Sequence, residues 1–326
     1  MTSKQGFEHE PHGADVSGLD IICLGELLID FFPGETEDVF LRRPGGAPAN
    51  VAVTAAKNGF RAGVCSRVGD DAFGRYLGAV LENSGVRFLT PAPVTQATTT
   101  MAFVTLDETG NRSFTFARKP GADMFLDRQD VAVCAAAGPR IVHAGSCSLS
   151  AGPAADATRY ALQAAKESGK IVSFDVNYRD LMWAGDKERA RQAIRQILPL
   201  VDLLKFSDEE EDVLRMSCQE LSERYRIPVV VETLGPRGAR AFFGDRLLSV
   251  QPRQVNSVDT TGAGDAFWGT FLSVVLHSGA HSAASLDAAL VKTALEFGNV
   301  AGSLCVQKKG AMEGLPTLLE IERLLA

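Results

Sequence analysis

The middle of the chain alternates short apolar runs with stretches of helical periodicity, and this alternation restricts the fold more than any other feature. Apolar strands joined by helices are typical of βαβ units, in which helices cover both faces of a parallel sheet. The sequence therefore predicts an α/β fold with a doubly wound, mostly parallel sheet. The runs are 140–143 (before a helix ending near 169), 171–174 (before a helix over 187–198), 203–206 (before a helix over 208–224) and 229–232.

Composition narrows the possible partners. The 326 residues are enough for one large domain or two ordinary ones, and 45% of them are hydrophobic. The formal net charge of −7 argues against a general nucleic-acid binder and against a membrane-surface protein. Any site for a phosphate group must therefore be built locally.

The cysteines and the first residues bear on the compartment. No CxxC pair, secretory signal or apolar run of membrane-spanning length is present, so we expect reduced thiols in a cytoplasmic protein. Residues 1–18 lack apolar periodicity, which predicts a flexible N-terminal tail. The cysteines are Cys23, Cys65, Cys134, Cys147, Cys218 and Cys305.

One Gly-rich stretch, Asp-Thr-Thr-Gly-Ala-Gly-Asp at 259–265, carries the clearest chemistry. Apolar residues at helical spacing follow it, so the glycines make a turn that opens a helix. A helix start offers unpaired N–H groups and partial positive charge, which suits an anion. The small residues Gly262, Ala263 and Gly264 let a phosphate approach the backbone. Asp265 is then placed to act as a general base.

A helix cap, a dinucleotide-binding loop and a P-loop are the alternatives for this stretch. Taken alone, Asp265 could simply cap a helix that begins after a glycine turn. A dinucleotide-binding loop would need a third glycine at position 267, where Phe267 stands. No GxxxxGK[ST] loop occurs in the sequence, which disfavours a P-loop enzyme.

Two segments near the N-terminus offer groups for sugar hydroxyls. The apolar run over 20–31 predicts a strand buried on both faces, with Asp30 at its carboxyl end. A Pro-Gly-Gly-Ala-Pro-Ala-Asn run follows, in which Gly45 and Gly46 let backbone approach a ligand and Asn50 offers both a donor and an acceptor. By themselves, these residues also fit a solvated strand end and a plain loop.

Taken together, these motifs resemble the signatures of the PfkB-type (ribokinase-like) carbohydrate kinases. The match rests on 259–265, on Gly-Gly-Ala-Pro-Ala-Asn at 45–50 and on Arg-Val-Gly-Asp-Asp-Ala-Phe-Gly at 67–74, and it extends over roughly 20–318. The resemblance implies one kinase domain over 19–326. It also implies a small β-sheet lid from about 35–43 and 99–118.

The resemblance assigns roles to individual residues. It makes Asp265 the base and the N–H groups of Gly262–Gly264 the phosphoryl-binding site. It implies substrate-binding roles for Asp30, Gly45, Gly46, Asn50, Phe103, Arg118 and Arg179. It implies nucleotide-binding roles for Asn177, Ser207, Glu210, Thr233, Gly235, Gly238 and Asn299, with Ser207 standing where the family commonly has Asn.

Metal ions are implied in the same way. Glu210 is expected to arrange Mg²⁺ through water, and Mg²⁺ also suits the charge of nucleotide phosphates. Relatives with a monovalent cation, such as K⁺, would hold it at positions that correspond here to Asp259, Thr261 and Gly310.

The implied reaction is transfer of the ATP γ-phosphoryl to a sugar hydroxyl. The segments 118–123, 143–146 and 177–183 look most like the fructokinase branch, which makes fructose 6-phosphate. A 2-keto-3-deoxygluconate kinase or another PfkB sugar or nucleoside kinase remains the alternative, because Arg118 or Arg179 could pair with a carboxylate substrate.

Two further expectations concern a non-catalytic function and assembly. An inactive kinase-like sugar-binding or scaffold protein would be favoured by loss of the base or the glycines, and both are present. Exposed edge strands of the predicted lid invite pairing, so a homodimer would form there.

Overall fold

A computed structural model of the protein describes residues 18–36, 38–90, 92–106, 112–136 and 138–325. The predicted tail over 1–18 lies outside these residues except for Gly18. The strands within these ranges are β1 (Ile21–Leu24), β2 (Leu28–Pro33), β3 (Phe40–Gly45), β4 (Ala62–Cys65), β5 (Val86–Phe88), β6 (Met101–Leu106), β7 (Arg112–Ala117), β8 (Ile141–Gly145), β9 (Ile171–Asp175), β10 (Leu203–Ser207), β11 (Val229–Thr233), β12 (Ala239–Phe243) and β13 (Arg246–Val250).

The described α-helices connect and cover these strands. They are α1 (Ala47–Lys57), α2 (Ala72–Asn83), α3 (Arg128–Ala136), α4 (Gly152–Glu167), α5 (Lys187–Ile197), α6 (Glu211–Leu214), α7 (Cys218–Tyr225), α8 (Ala263–His277), α9 (Ala288–Cys305), α10 (Ala311–Gly314) and α11 (Leu318–Leu325).

Nine strands form the main sheet, in the order β13-β12-β11-β10-β9-β8-β1-β4-β5. The pairs from β11 to β5 are parallel, and β12 and β13 add an antiparallel edge. The strand order runs outward in both directions from β1, so the sheet is doubly wound and the predicted fold class is confirmed. Ligands of such sheets bind beyond the carboxyl ends of the strands, near the point where the order reverses.

The core lies on both faces of the main sheet. In β1 the side chains of Ile21 and Cys23 pack into one apolar cluster with α1 and α8, whereas Ile22 and Leu24 pack into another with α4 and α5. Alternate side chains of a strand point to opposite faces, so a strand buried on both faces must be apolar throughout.

The prediction of one strand over 20–31 was wrong. The run is divided by Gly25, whose φ of 142° is a conformation that other residues rarely adopt. β1 stays in the main sheet, and β2 begins a second sheet. Asp30 therefore lies on β2 and not at the carboxyl end of a main-sheet strand.

The second sheet, which we call the lid sheet, has the order β3-β2-β6-β7. Its β3 and its β6–β7 hairpin correspond to the segments predicted for the lid, whereas β2 was predicted as a strand but not as part of the lid. The hairpin loop over 107–111 lies outside the described residues.

The helix predicted over 208–224 is divided in the structure. Arg215 adopts a left-handed conformation with φ of 53°, which ends α6. Ser217 then forms a capping box with Glu220 and begins α7. Within the described residues, no helix combines the length and the apolar character needed to cross a membrane.

Candidate active site

The glycine turn at 262–264 forms the start of α8. Gly262 is the N-cap residue, and its φ of 80° favours glycine. A Cβ atom on Gly262 would lie 2.9 Å from the Cα atom of Ala311, so the turn packs tightly against the start of α10. N–H groups in the first turn of a helix have no partner within the helix and can donate to an anion.

Asp265 is the third residue of α8, and the N-cap residue Gly262 makes no side-chain capping bond. Its side chain is buried, with 8% exposure, and its Oδ2 atom accepts a 2.7 Å hydrogen bond from Asn50 Nδ2. Burial raises the pKa of Asp265 to about 6, while the bond from Asn50 lowers it. A carboxylate of this pKa is ionised at neutral pH and is more basic than an exposed aspartate.

Three of the predicted sugar-side residues act on this carboxylate: Asn50 bonds to it, and Asp30 and Arg179 interact with it electrostatically. Asp30 faces Gly45 closely, because a Cβ atom on Gly45 would overlap the Asp30 carboxylate. Burial raises the pKa of Asp30 to about 7, and the charge of Arg179 lowers it. The Oδ1 atom of Asn50 is buried and has no hydrogen-bond partner among the described residues. The carboxylate of Asp30 and the Oδ1 atom of Asn50 can therefore accept hydrogen bonds from the hydroxyl groups of a ligand.

An aromatic cluster joins the lid sheet to the main domain. Phe103 of β6 stacks on Phe31 of β2, with ring centroids 4.9 Å apart and an interplanar angle of 8°. Phe40 of β3 contacts both rings edge-on, and Phe73 of α2 contacts Phe31 in the same way. Phe103 is therefore part of an apolar wall that also includes a residue from outside the lid sheet.

The two predicted arginines differ in their surroundings. The side chain of Arg118 is 5% exposed, and it forms an ion pair with Asp123 at 2.7 Å and a hydrogen bond to Ser150. Because its guanidinium is occupied within the fold, Arg118 is a poor partner for a substrate carboxylate. Arg179 is exposed and donates a hydrogen bond to the Tyr178 carbonyl oxygen, and its charge lowers the pKa of both Asp30 and Asp265.

Several predicted nucleotide-side residues follow adjacent strands at the carboxyl edge of the sheet. Asn177 comes after β9 with φ of 36°, a conformation uncommon for a residue with a side chain. Ser207 ends β10 and begins a capping box with Glu210. Thr233 ends β11, and its hydroxyl donates to the Phe206 carbonyl oxygen at 3.4 Å.

The other residues predicted to bind the nucleotide lie at the turn after β11 and on α9. Gly235 and Gly238, with φ of 56° and 92°, begin and follow the short 3₁₀ turn after β11. Asn299 lies on α9, where its amide donates to the Gln251 carbonyl oxygen at 2.8 Å.

Glu210 has little capacity to bind a metal ion directly. One oxygen accepts from the Tyr178 N–H at 2.5 Å, and the other accepts from the Ser207 N–H at 2.8 Å. Among the described residues, no group of three or more His, Cys, Asp or Glu side chains is arranged to hold a metal ion. A free lone pair on each oxygen still allows a contact through water.

The three residues predicted for a monovalent cation converge in the structure. The Asp259 carboxylate accepts hydrogen bonds from the N–H and hydroxyl of Thr261, at 2.9 and 2.7 Å, and from the Gly310 N–H at 3.0 Å. This cluster precedes the Gly262 turn directly. It therefore helps to fix the turn in position.

Sequence reasoning missed a buried ion pair beneath the turn. Lys205 of β10 lies 2.7 Å from Asp175 of β9, and both side chains are buried. A Cβ atom on Gly264 would lie 3.3 Å from Lys205 Nζ, so the ammonium group lies close to the turn. Its positive charge lowers the pKa of Asp265. The sequence does contain a signal for this pair. A lysine within an apolar strand, such as Lys205, is buried only when a group of opposite charge pairs with it.

The fold and this arrangement define a carbohydrate kinase of the ribokinase-like type. Residues 19–318 match the family model described as "pfkB family carbohydrate kinase", so the chain belongs to this family.

Similar proteins of known sequence are fructokinases from plants. The chain is 36% identical over 317 residues to "Probable fructokinase-4" of Arabidopsis thaliana, and the match covers 94% of this chain and 96% of that protein. It is 35% identical over 317 residues to "Fructokinase-1" of Oryza sativa subsp. japonica, covering 94% and 97%.

Similar solved structures include two kinases with bound ligands. A double mutant of fructokinase from Vibrio cholerae O395, with fructose, ADP and potassium bound, is 33% identical with a TM-score of 0.81, covering 94% of this chain and 98% of that chain. Aminoimidazole riboside kinase from Salmonella enterica, complexed with aminoimidazole riboside and an ATP analog, is 30% identical with a TM-score of 0.80, covering 94% and 99%.

Proposed function

We propose that this protein is a fructokinase, which transfers the γ-phosphoryl group of ATP to fructose and forms fructose 6-phosphate. The observation that carries the proposal is the 2.7 Å hydrogen bond between Asn50 and Asp265. This bond joins the turn expected to hold the sugar to the carboxylate beside the phosphoryl-binding turn. The similarity to fructokinases over more than 90% of the chain supports fructose as the acceptor.

In the proposed reaction, Asp265 accepts the proton of the sugar hydroxyl. The hydroxyl oxygen forms a bond to the γ-phosphorus, and the bond from that phosphorus to the leaving oxygen of ADP breaks. N–H groups of the Gly262–Gly264 turn donate to the phosphoryl oxygens, and Lys205 adds positive charge beneath them. The lid sheet excludes water, which protects the phosphoryl group from hydrolysis.

Metal ions complete this proposal. Mg²⁺ would bind the nucleotide phosphates and neutralise their charge, with Glu210 contacting it through water. K⁺ would bind near Asp259, Thr261 and Gly310. Support for a cation there comes from the convergence of these residues beside the turn and from the potassium-bound Vibrio fructokinase.

Assembly and location belong to the same proposal. The edge strand β3 exposes Phe40 and Leu41, which supports a homodimer that forms through the lid sheet. A cytoplasmic location is supported by the cysteines, because no disulfide joins Cys23, Cys65, Cys147, Cys218 or Cys305.

Replacing Asn50 by alanine should raise the KM for the sugar about tenfold and change the KM for ATP by less than about threefold. The reason is that loss of one buried hydrogen bond to a substrate costs about 1–1.5 kcal/mol. Steady-state kinetics with each substrate varied in turn would measure the two constants. Asn58→Ala is the matched control, because Asn58 ends the same helix, is buried and bonds to Ser273, away from Asp265. Equal changes in both constants for Asn50→Ala would make Asn50 a purely structural residue.

A panel of acceptors tests the identity of the substrate. With Mg-ATP, we expect kcat/KM for fructose to exceed that for 2-keto-3-deoxygluconate, ribose and adenosine by at least about tenfold. The described site offers one exposed cation, Arg179, to a carboxylate, since Arg118 is paired with Asp123. A preference for ketodeoxygluconate that Arg179→Ala abolishes would assign the carboxylate substrate. Phosphorylation of no acceptor would favour the inactive sugar-binding or scaffold protein.

A further inference from the structure

Glu26 lies in the connection between β1 and β2, where the chain passes from the main sheet to the lid sheet. It contacts the start of α1 through both its backbone and its side chain. A Cβ atom on Gly46 would overlap the Glu26 carbonyl oxygen, so these backbones are in close contact. The Ala47 N–H donates to Glu26 Oε1 at 3.3 Å. Glu26 therefore fixes the turn that precedes α1.

This carboxylate also completes the N-terminus of α1. The N-cap residue is Gly46, which has no side chain to accept a helix N–H. Glu26 supplies the missing acceptor from another part of the chain, and its negative charge complements the helix dipole. One turn later, α1 carries Asn50, which holds Asp265. The contacts thus run from Glu26 through α1 to the proposed base.

The connections between the two sheets meet around Glu26. Arg118, after β7, pairs with Asp123, and the Thr100 hydroxyl before β6 donates to the same carboxylate. The charge of Asp123 raises the pKa of Glu26, and that of Arg118 lowers it. Residues from all four crossings between the sheets therefore contact or electrostatically influence one another.

A glutamate at this position lowers the stability of the fold, so a purely structural role does not explain it well. Glu26 is 3% exposed, and its Oε2 atom has no hydrogen-bond partner among the described residues. Burial raises its pKa to about 7. A buried, incompletely paired carboxyl group destabilises a fold compared with a well-packed apolar residue. A buried acceptor at this place is explained if it positions a residue that serves the reaction, since it bonds to the start of the helix that carries Asn50.

We propose that Glu26 is a positioning residue for phosphoryl transfer, which fixes the first turn of α1 and thereby holds Asn50 against Asp265. The inference rests on the proposed kinase function. Glu26 does not contact the reacting atoms in this role. It acts through Asn50, so removing either residue should disturb the same interaction.

A double-mutant cycle tests this coupling. We expect Glu26→Leu to lower kcat/KM for fructose about tenfold, because it weakens the hold of Asn50 on Asp265 and one hydrogen bond contributes about this factor. In the Asn50→Ala background, the same change should cost less than about threefold, because the link to Asp265 is already broken. Glu26→Gln keeps an acceptor for the Ala47 N–H and should remain within about threefold of wild type. Additive effects of Glu26→Leu and Asn50→Ala would overturn the proposal.

Controls separate this role from general stability. Asp202 is also a buried carboxylate, and it accepts a hydrogen bond from the Val172 N–H at 2.9 Å. It lies just before β10, at the amino ends of the parallel strands, whereas Glu26 follows the carboxyl end of β1. Asp202→Asn should therefore combine additively with Asn50→Ala. If Glu26→Leu does not fold, Glu26→Asp, which withdraws the acceptor by one methylene, replaces it in the cycle with the same two outcomes.

The failure of the proposed function would look different. If wild type phosphorylates another sugar instead of fructose, fructokinase activity is wrong and the cycle is measured with that sugar. If wild type phosphorylates fructose but the effects are additive, only the role of Glu26 is wrong. If wild type phosphorylates no acceptor, both proposals are wrong.

Discussion

Replacing Asp265 by asparagine is expected to lower kcat by about 10²–10⁴, the usual contribution of a general base. Asparagine keeps the size of the side chain and an oxygen that can accept from Asn50, but it cannot take the proton of the sugar hydroxyl. The KM values for sugar and ATP should change by less than about threefold. Steady-state kinetics on the purified variant would measure this loss.

The pH dependence of wild type should report the same group. Because burial raises the pKa of Asp265 to about 6, kcat should fall as pH drops through 6 and level off above about pH 7. Folding also raises this pKa from its ordinary value of 3.8, so the folded state binds more protons than the unfolded chain between about pH 4 and 6. The contribution of Asp265 to stability therefore falls as pH rises through that window.

It follows that Asp265→Asn should be at least as stable as wild type at pH 8, since it removes a buried charge. A melting curve on the same sample measures this. Asp287→Asn is the control for a helix-start aspartate, because Asp287 caps α9 through the Leu290 N–H at 2.8 Å. Its turnover should not change, since asparagine is also a good N-cap. Full turnover together with lost stability in Asp265→Asn would falsify the base assignment.

Replacing Gly262 by alanine is expected to lower kcat about 10²-fold or more. The new Cβ atom would lie 2.9 Å from the Ala311 Cα atom, so the turn must move. The φ of 80° adds strain of about 1–2 kcal/mol for a residue other than glycine. A displaced turn aims its N–H groups away from the phosphoryl group, and loss of one such donor typically costs 10²–10³ in rate.

The control for Gly262→Ala is Gly279→Ala. Gly279 follows the other end of α8 with φ of 77°, and a Cβ atom there would meet nothing within 4 Å. The two substitutions therefore share the backbone strain but differ in the clash. Gly279→Ala should lower the melting temperature and keep kcat. Unchanged turnover in folded Gly262→Ala would show that this turn does not bind the phosphoryl group.

Much of the fold could be predicted because its signals are local. An apolar strand such as 171–174 and a helix over 187–198 each follow from neighbouring residues, and the structure has β9 and α5 there. The break between β1 and β2 was missed because Gly25 and Glu26 form a short interruption with apolar residues on both sides. Both strands are apolar, so hydrophobicity alone could not separate them into two sheets.

The family signatures, the glycine turn and the carboxylate beside it could be predicted from the chain, because they depend on residue type and spacing. Which groups meet could not be predicted, because that depends on how distant segments pack. Asn50 and Asp265 are 215 residues apart in the chain, and Arg118 is withdrawn from a substrate by its ion pair with Asp123. The raised pKa of Asp265 has the same origin, since burial is a property of packing between distant segments.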